Sequence, residues 1–267
     1  DHFHKARRRP GMPGAYRLQL TIGMEMAVIT RLARSLDYTL EDQERMAGAR
    51  NYFAWQGRMV TRELGQRVVE VGCGLGNFTR MLLDREAVIA VDAEPGCIQR
   101  LKQRYPNQRN LLAFACDLTS TVFPELAKFR PDSCVSLNVL EHIEDDRQAL
   151  RAMASMLEPG GVIVLLVPAF QALYGPIDRH LGHHRRYSRK SIHSLAGSAG
   201  LRIRKIHYVN GLGFFGWWAN AHIFKREAQS ERQIAIFDRY VVPIASRLES
   251  LAPPPFGQSL FAVLEKP

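Results

Sequence analysis

A chain of 267 residues can hold one α/β domain with additions, or at most two small domains. Its apolar fraction of 46% suits a protein with a real core. No apolar run reaches the roughly 18 residues that span a bilayer, and no leader pattern opens the chain. The net charge of +10 is unevenly placed: residues 151–209 hold nine Lys/Arg against two Asp/Glu, while residues 51–150 hold twelve against thirteen.

In chain order, residues 1–14 are basic and rich in Pro and Gly (Arg7-Arg8-Arg9-Pro10-Gly11), which predicts a disordered arm. Residues 16–35 carry apolar groups at helical spacing, and Asp37–Gly48 reads as a second short helix, so 15–50 is expected to form a helical cap. The main domain is expected over 51–267. Its first strand, Val68-Val69-Glu70-Val71, runs straight into Gly72-Cys73-Gly74-Leu75-Gly76. Glycines directly after a buried strand let the chain turn sharply and let a ligand approach without a Cβ in the way. A helix is expected at Asn77–Asp84. The spacing G-x-G-x-G differs from the G-x-G-x-x-G that fits a dinucleotide pyrophosphate. Glu70 would repel a phosphate there but could receive an ammonium group. Ala87–Val91 then forms a second apolar strand ending in Asp92, 20 residues after Gly72, where an acid can accept from two ribose hydroxyls. A cationic nucleoside without phosphates fits this set better than a dinucleotide does.

Strands and helices alternate from there, as in a parallel sheet. The expected order is a helix at Pro95–Tyr105, strands at Leu111–Ala115 and Ser133–Asn138, a helix at Glu144–Leu157, and a strand at Val162–Val167. Glu141, His142, Glu144, Asp145 and Asp146 crowd the start of that last helix, where acids are favoured by the dipole, so no metal is assigned to them. Cys73, Cys97, Cys116 and Cys134 show no metal spacing and read as reduced, buried thiols of a cytoplasmic protein.

The loop 168–190 gathers Tyr174, Asp178, Arg179, His180, His183, His184, Arg185, Arg186 and Tyr187. It offers no trustworthy zinc-ligand spacing, and a histidine base flanked by anion-holding arginines fits it better. Ser188 caps a helix that Gly200 ends, and a strand follows at Leu201–Val209. The last strand, Ser259–Leu264, comes only after an insertion at 210–257, with an aromatic cluster (Phe214, Phe215, Trp217, Trp218) and helical patterns near Ala219–Glu227 and Ile234–Leu251. These aromatics are either core, the wall of an apolar cavity, or a membrane-interface contact.

Taken together, the glycine loop, Asp92, Ala115-Cys116-Asp117-Leu118, Ser136–Ile143 and Leu157-Glu158-Pro159-Gly160-Gly161 resemble the class I S-adenosylmethionine-dependent methyltransferases. The loop Gly182-His183-His184-Arg185-Arg186-Tyr187 resembles the G-H-x-R-R-Y loop of a bacterial group of these enzymes, and more distantly the quinone-pathway members. The resemblance implies a Rossmann-like, doubly wound seven-stranded sheet, mostly parallel with the last strand antiparallel. N-terminal helices and a helical insertion between strands 6 and 7 are added to it. It implies S-adenosyl-L-methionine held by Tyr52, Glu70, Gly72, Cys73, Gly74, Gly76, Asp92, Ala93, Asp117, Leu118, Asn138, Val139 and Leu140. The expected catalytic residues are His183, then His180 and Tyr187, with no metal. Tyr174, Arg185, Arg186, Phe214, Phe215, Trp217 and Trp218 are expected around a small, partly apolar and anionic acceptor, with the two arginines at the mouth of its cavity. Two other classes stay open: a nucleic-acid methyltransferase using the basic patch 179–205, disfavoured for want of a separate binding module, and a non-catalytic cofactor-binding protein. Peripheral membrane contact is compatible with the aromatic insertion, and the oligomeric state is not readable.

Overall fold

A computed structural model describes residues 41–267 apart from Thr121. The arm expected at 1–14 and the helix expected at 16–35 lie outside the described residues; of the expected cap, residues 41–46 are helical. Helix α1 (Arg50–Val60) follows and leads into β1 (Arg67–Val71). Strands β2 (Ala87–Asp92), β3 (Leu111–Ala115), β4 (Ser133–Leu137), β5 (Val162–Pro168), β6 (Arg202–Val209) and β7 (Ser259–Glu265) complete a seven-stranded sheet in the order β3-β2-β1-β4-β5-β7-β6. Strands β1 to β5 pair in parallel, and β7 runs antiparallel to both β5 and β6. This is the expected doubly wound sheet.

The unbroken apolar runs follow from a sheet covered on both faces. Val69, Ile89, Ile163 and Leu165 face one core, while Val68, Val88, Val164 and Leu166 face the other. Helix α2 (Pro95–Arg104) starts with Pro95 in its first turn, where no N–H is missed, and the Glu94 side chain accepts from Gly96 N at 3.2 Å. Asp145 caps α3 (Asp146–Ser155) by accepting from Gln148 N at 2.9 Å. Between β5 and β6 lie the short α4 (Pro176–His180) and α5 (Arg189–Ser198), the latter capped by Ser188 as expected.

Two elements differ from expectation. After the glycine loop the chain forms only a 3-10 turn, Thr79–Met81, in place of a helix at 77–84. Thr79 is fully buried and its hydroxyl donates to Glu70 Oε2 at 2.6 Å, with Phe78 and Leu82 buried beside it. That anchoring draws the segment into i to i+3 bonds, such as Leu82 N to Thr79 O at 2.9 Å. In the insertion, Gly211–Ala219 is itself a helix, α6, continued by a π-turn Asn220–Phe224. Three glycines oppose helix formation by propensity. Fixed acceptors at the N-terminus offset this: Asn210 Oδ1 accepts from Gly213 N at 3.0 Å, and the Glu249 carboxylate accepts from Asn210 N and Gly211 N at 3.0 and 2.9 Å. Helices α7 (Glu231–Ile236) and α8 (Val242–Leu251), joined by a π-turn Phe237–Val241, return the chain to β7. Among the described residues no helix is long and apolar enough to cross a membrane.

Candidate active site

The carboxyl ends of β1, β2 and β4 meet at the glycine loop. Gly72 and Gly74 have φ of +71° and +51°, and a Cβ on Gly72 would run into the Val139 side chain, so the turn needs glycine. Gly72 N and Cys73 N donate to Val91 O, locking the loop onto β2. Asp92 sits half-buried at the end of β2, accepting from Gly74 N at 2.8 Å and from Glu94 N at 2.9 Å. Burial raises its pKa against those two bonds. Glu70 is 4% exposed; burial pushes its carboxyl up to about 8, although the Thr79 hydroxyl opposes the shift.

A cavity of about 270 Å³ opens from this loop. Glu70, Gly72, Cys73 and Asn138 line its inner side, and Tyr52 and Gln56 of α1 line another. Gln43, in the 41–46 helical segment, leans over the loop: its side-chain oxygen accepts from Leu75 N at 2.8 Å, and its backbone carbonyl accepts from the Asn77 side chain at 2.9 Å. Helix α1 lacks a capping side chain of its own, and Asp238 of the insertion supplies one. Asp238 Oδ1 accepts from Tyr52 N at 2.8 Å and Oδ2 from Asn51 N at 3.3 Å. The insertion thereby positions the helix that carries Tyr52.

The far side of the cavity is built around Asp178. Its carboxylate accepts from Gly175 N at 2.9 Å, from Arg186 Nε and Nη2 at 2.8 and 3.1 Å, and from His183 Nδ1 at 2.9 Å. Burial acts to raise the Asp178 pKa, but the His183 bond and the Arg186 charge outweigh it and hold the group ionised. An ionised carboxylate only accepts, so His183 Nδ1 is the donor in that bond. Arg186 lies beneath the Trp217 ring, 4.8 Å from its centre. Beside His183 stand Glu141 and His142, in the 3-10 turn Leu140–His142 after β4. The His142 and His183 ring centres are 4.6 Å apart at 87°. Glu141 is fully buried, and among the described residues neither of its carboxyl oxygens has a hydrogen-bond partner. Burial pushes Glu141 up to about 7 and His142 down to about 3.

Of the residues singled out by sequence, Tyr52, Glu70, Gly72, Cys73, Asn138, His183, Arg186 and Trp217 line this one cavity. Gly74, Gly76, Val139 and Leu140 shape its loops from outside the lining, and Leu118 is core. Asp92 and the exposed Ala93 border the glycine loop, while exposed Asp117 folds its carboxylate back onto Thr119. Others stand elsewhere. Tyr187 is buried, and its hydroxyl donates to Asp146 Oδ2 at 3.0 Å. Arg185 pairs with the same carboxylate at 2.8 Å, and exposed His180 lies outside the lining. Tyr174 donates to His183 O at 2.7 Å from behind the loop. Arg186, expected at the mouth, is instead buried against Asp178, where its bonds to that carboxylate and to Ala169 O at 3.2 Å offset the desolvation. The aromatic cluster divides: Trp217 is buried and Phe214 half-buried, while Phe215 and Trp218 are 58% and 45% exposed. Sequence reasoning missed Gln43, Asp178 as an anchor, and Asp238. The one local signal was the uncapped Ala49-Arg50 start of α1.

A family model described as a methyltransferase domain matches residues 31–206, over half of the chain. The chain belongs to that family, and its glycine loop, strand order and antiparallel last strand make it a class I, S-adenosylmethionine-dependent member. Over 101 residues it is 33% identical to the malonyl-[acyl-carrier protein] O-methyltransferase of Serratia marcescens, a stretch covering 38% of this chain and 37% of that protein. Over 105 residues it is 30% identical to the trans-aconitate 2-methyltransferase of Methylobacterium nodulans, covering 38% of each. The chain thus spans well under half the length of these curated relatives. In three dimensions it is similar to the N-methyltransferase NodS of Bradyrhizobium japonicum, solved with S-adenosyl-L-homocysteine. The TM-score is 0.56 at 20% identity, over 88% of this chain and 97% of that one, a likeness of fold alone.

Proposed function

We propose that this chain methylates a small, partly apolar acceptor bound in the cavity between the glycine loop and the loop 168–190. One observation carries the reading: a single cavity of about 270 Å³ joins Glu70 and Gly72 at one end to His183 and Trp217 at the other. When bound, S-adenosylmethionine supplies a methyl group on a positively charged sulfur, an electrophile that needs alignment more than activation. The residues present fit it. Gly72 and Cys73 line the cavity, Asp92 can hold the ribose beside it, and Glu70 can meet the ammonium group. Tyr52 and Gln56 cover that end and keep water out. At the other end Trp217, Ile177 and Leu181 bury the acceptor's apolar part, and the cluster Glu141, His142 and His183 receives the polar group to be methylated.

The nucleic-acid alternative weakens because five basic residues of its patch are paired with acids. Arg185 pairs with Asp146, Arg186 with Asp178, Arg202 and Arg204 with Glu265, and Lys205 with Glu63. Little unpaired positive charge from β6 remains to attract a phosphate backbone. Calorimetry with S-adenosylhomocysteine tests the donor end: Asp92→Ala should weaken binding by about 1.5–3 kcal/mol, as for loss of a charged hydrogen-bond partner. Incubation with methyl-labelled S-adenosylmethionine and separate small-metabolite and RNA fractions tests the acceptor. Label in the metabolites is expected; label confined to RNA would sink the small-acceptor reading.

A further inference from the structure

We propose that Glu141, His142 and His183 bind a divalent transition-metal ion at the acceptor end of the cavity. The proposal rests on the reading of that cavity as a methyl-transfer site and says how its polar end works. The three side chains offer one carboxylate oxygen and two imidazole nitrogens, all within 4.8 Å of one another. A tetrahedral ion holds ligands at about 2.0–2.2 Å, and so roughly 3.4 Å apart, which small side-chain rotations would reach. Two imidazoles with one carboxylate suit zinc, manganese, iron or cobalt; magnesium and calcium prefer all-oxygen sets.

Three further features point the same way. Glu141 is fully buried, and among the described residues neither of its oxygens has a hydrogen-bond partner, a costly arrangement for a carboxylate. One histidine is already held on its far nitrogen, His183 Nδ1 by Asp178 at 2.9 Å. That is the usual support for a metal-binding imidazole, because it fixes both tautomer and ring orientation. Asp178 is in turn immobilised by Arg186 and Gly175 N. Finally, all three side chains line the cavity, so the ion's remaining positions face the acceptor.

The helix-dipole explanation that accounts for the acids after β4 does not reach Glu141 and His142. Helix α3 begins at Asp146, and these two residues lie in the separate turn before it. The acid that serves the helix start is Asp145. Chemically, an ion here would bind a hydroxyl or enol oxygen of the acceptor and lower its pKa, so that the proton leaves to solvent and the oxygen faces the donor as an anion. The acceptor class this favours is an oxygen nucleophile.

Cobalt(II) chloride is the probe, titrated into the full chain after dialysis against EDTA, with visible d–d absorption as the readout. Saturable binding of a single ion is expected, displaced by zinc. Glu141→Gln and His183→Ala should each weaken it by about tenfold or more, and His193→Ala, on the exposed side of α5, should leave it unchanged. Calorimetry with S-adenosylhomocysteine on every variant reports whether the fold and the donor end survive. Should His183→Ala fail to fold, the nearly isosteric Glu141→Gln decides alone. Absence of a cobalt spectrum, or equal cobalt binding by wild type and Glu141→Gln, overturns the metal site. If S-adenosylhomocysteine still binds, that result leaves the methyltransferase reading standing. Cobalt binding in a chain that does not bind S-adenosylhomocysteine supports the site and sinks the methyl-transfer reading.

Discussion

The two ends of the cavity are built in different ways. The donor end is made of backbone: three strands stop at one place, glycines turn the chain there, and Asp92 closes the turn by accepting from Gly74 N. The acceptor end is made of side chains brought from distant segments, with His183, Asp178, Arg186 and Trp217 interlocked through one buried carboxylate. A backbone-built site stays in place whenever the sheet forms. A side-chain-built site depends on every member, so the two ends should fail separately.

The largest effect is expected at Asp178. Asp178→Ala leaves a guanidinium with 1% side-chain exposure without its hydrogen-bonded carboxylate, and losing one partner of a buried pair costs about 3–5 kcal/mol. Urea unfolding should show that loss. A change below about 1 kcal/mol would mean that the acceptor end does not hang on this residue.

At the donor end the sharper test is pH. The Glu70 carboxyl sits at about 8 in the fold, against 4.5 unperturbed, so between those values the native state keeps a proton that the unfolded chain has lost. Stability should therefore fall as pH rises through that window, by about 1 kcal/mol per pH unit, and Glu70→Gln should flatten the slope. An ammonium group arriving beside Glu70 favours its ionised form, so cofactor binding near pH 7 should release a proton. Calorimetry of S-adenosylhomocysteine in buffers of different ionisation heat measures that release, and equal heats in all buffers would take Glu70 out of contact with the ammonium.

Asp238 ties the two ends together. Asp238→Ala removes the acceptors from the first N–H groups of α1, a loss of about 1–2 kcal/mol. Cofactor affinity should fall with it, because Tyr52 is carried on that helix. Lost stability with unchanged affinity would separate the insertion from the donor site.

The same division explains what could be read from the sequence. The β1–glycine–β2 unit was legible because burial on both faces and the need for positive φ leave traces in neighbouring residues. Strands β4, β5 and β7 were legible from the same two-sided burial, while the edge strands β3 and β6 are only partly covered. Glu141 and His142 were visible in the sequence, but their meaning lies in His183, which reaches them only because Asp178 and Arg186 fold the intervening loop. Nothing local marks Asp238 as the cap of a helix 187 residues earlier. The helix at Gly211–Ala219 was obscured by glycines whose propensity is overridden from outside, by Glu249.

The smallest expected effect falls on Arg185, and it is the most pointed test of the contrast. In the sequence Arg185 and Arg186 form an equivalent pair. In the fold they face opposite ways: Arg186 is sealed under Trp217, whereas Arg185 keeps 30% of its side chain exposed, pairing with Asp146 at 2.8 Å and donating to Glu144 O at 2.7 Å. An ion pair so open to water contributes about 0–1 kcal/mol, since screening and side-chain entropy offset most of its Coulomb energy. Arg185→Ala should change urea stability by less than about 1 kcal/mol, with a smaller difference still in high salt, and should leave the acceptor's KM unaltered. Arg186→Ala should resemble Asp178→Ala instead. A raised KM in Arg185→Ala at unchanged stability would return that arginine to the rim of the acceptor site and extend the site beyond the buried cluster.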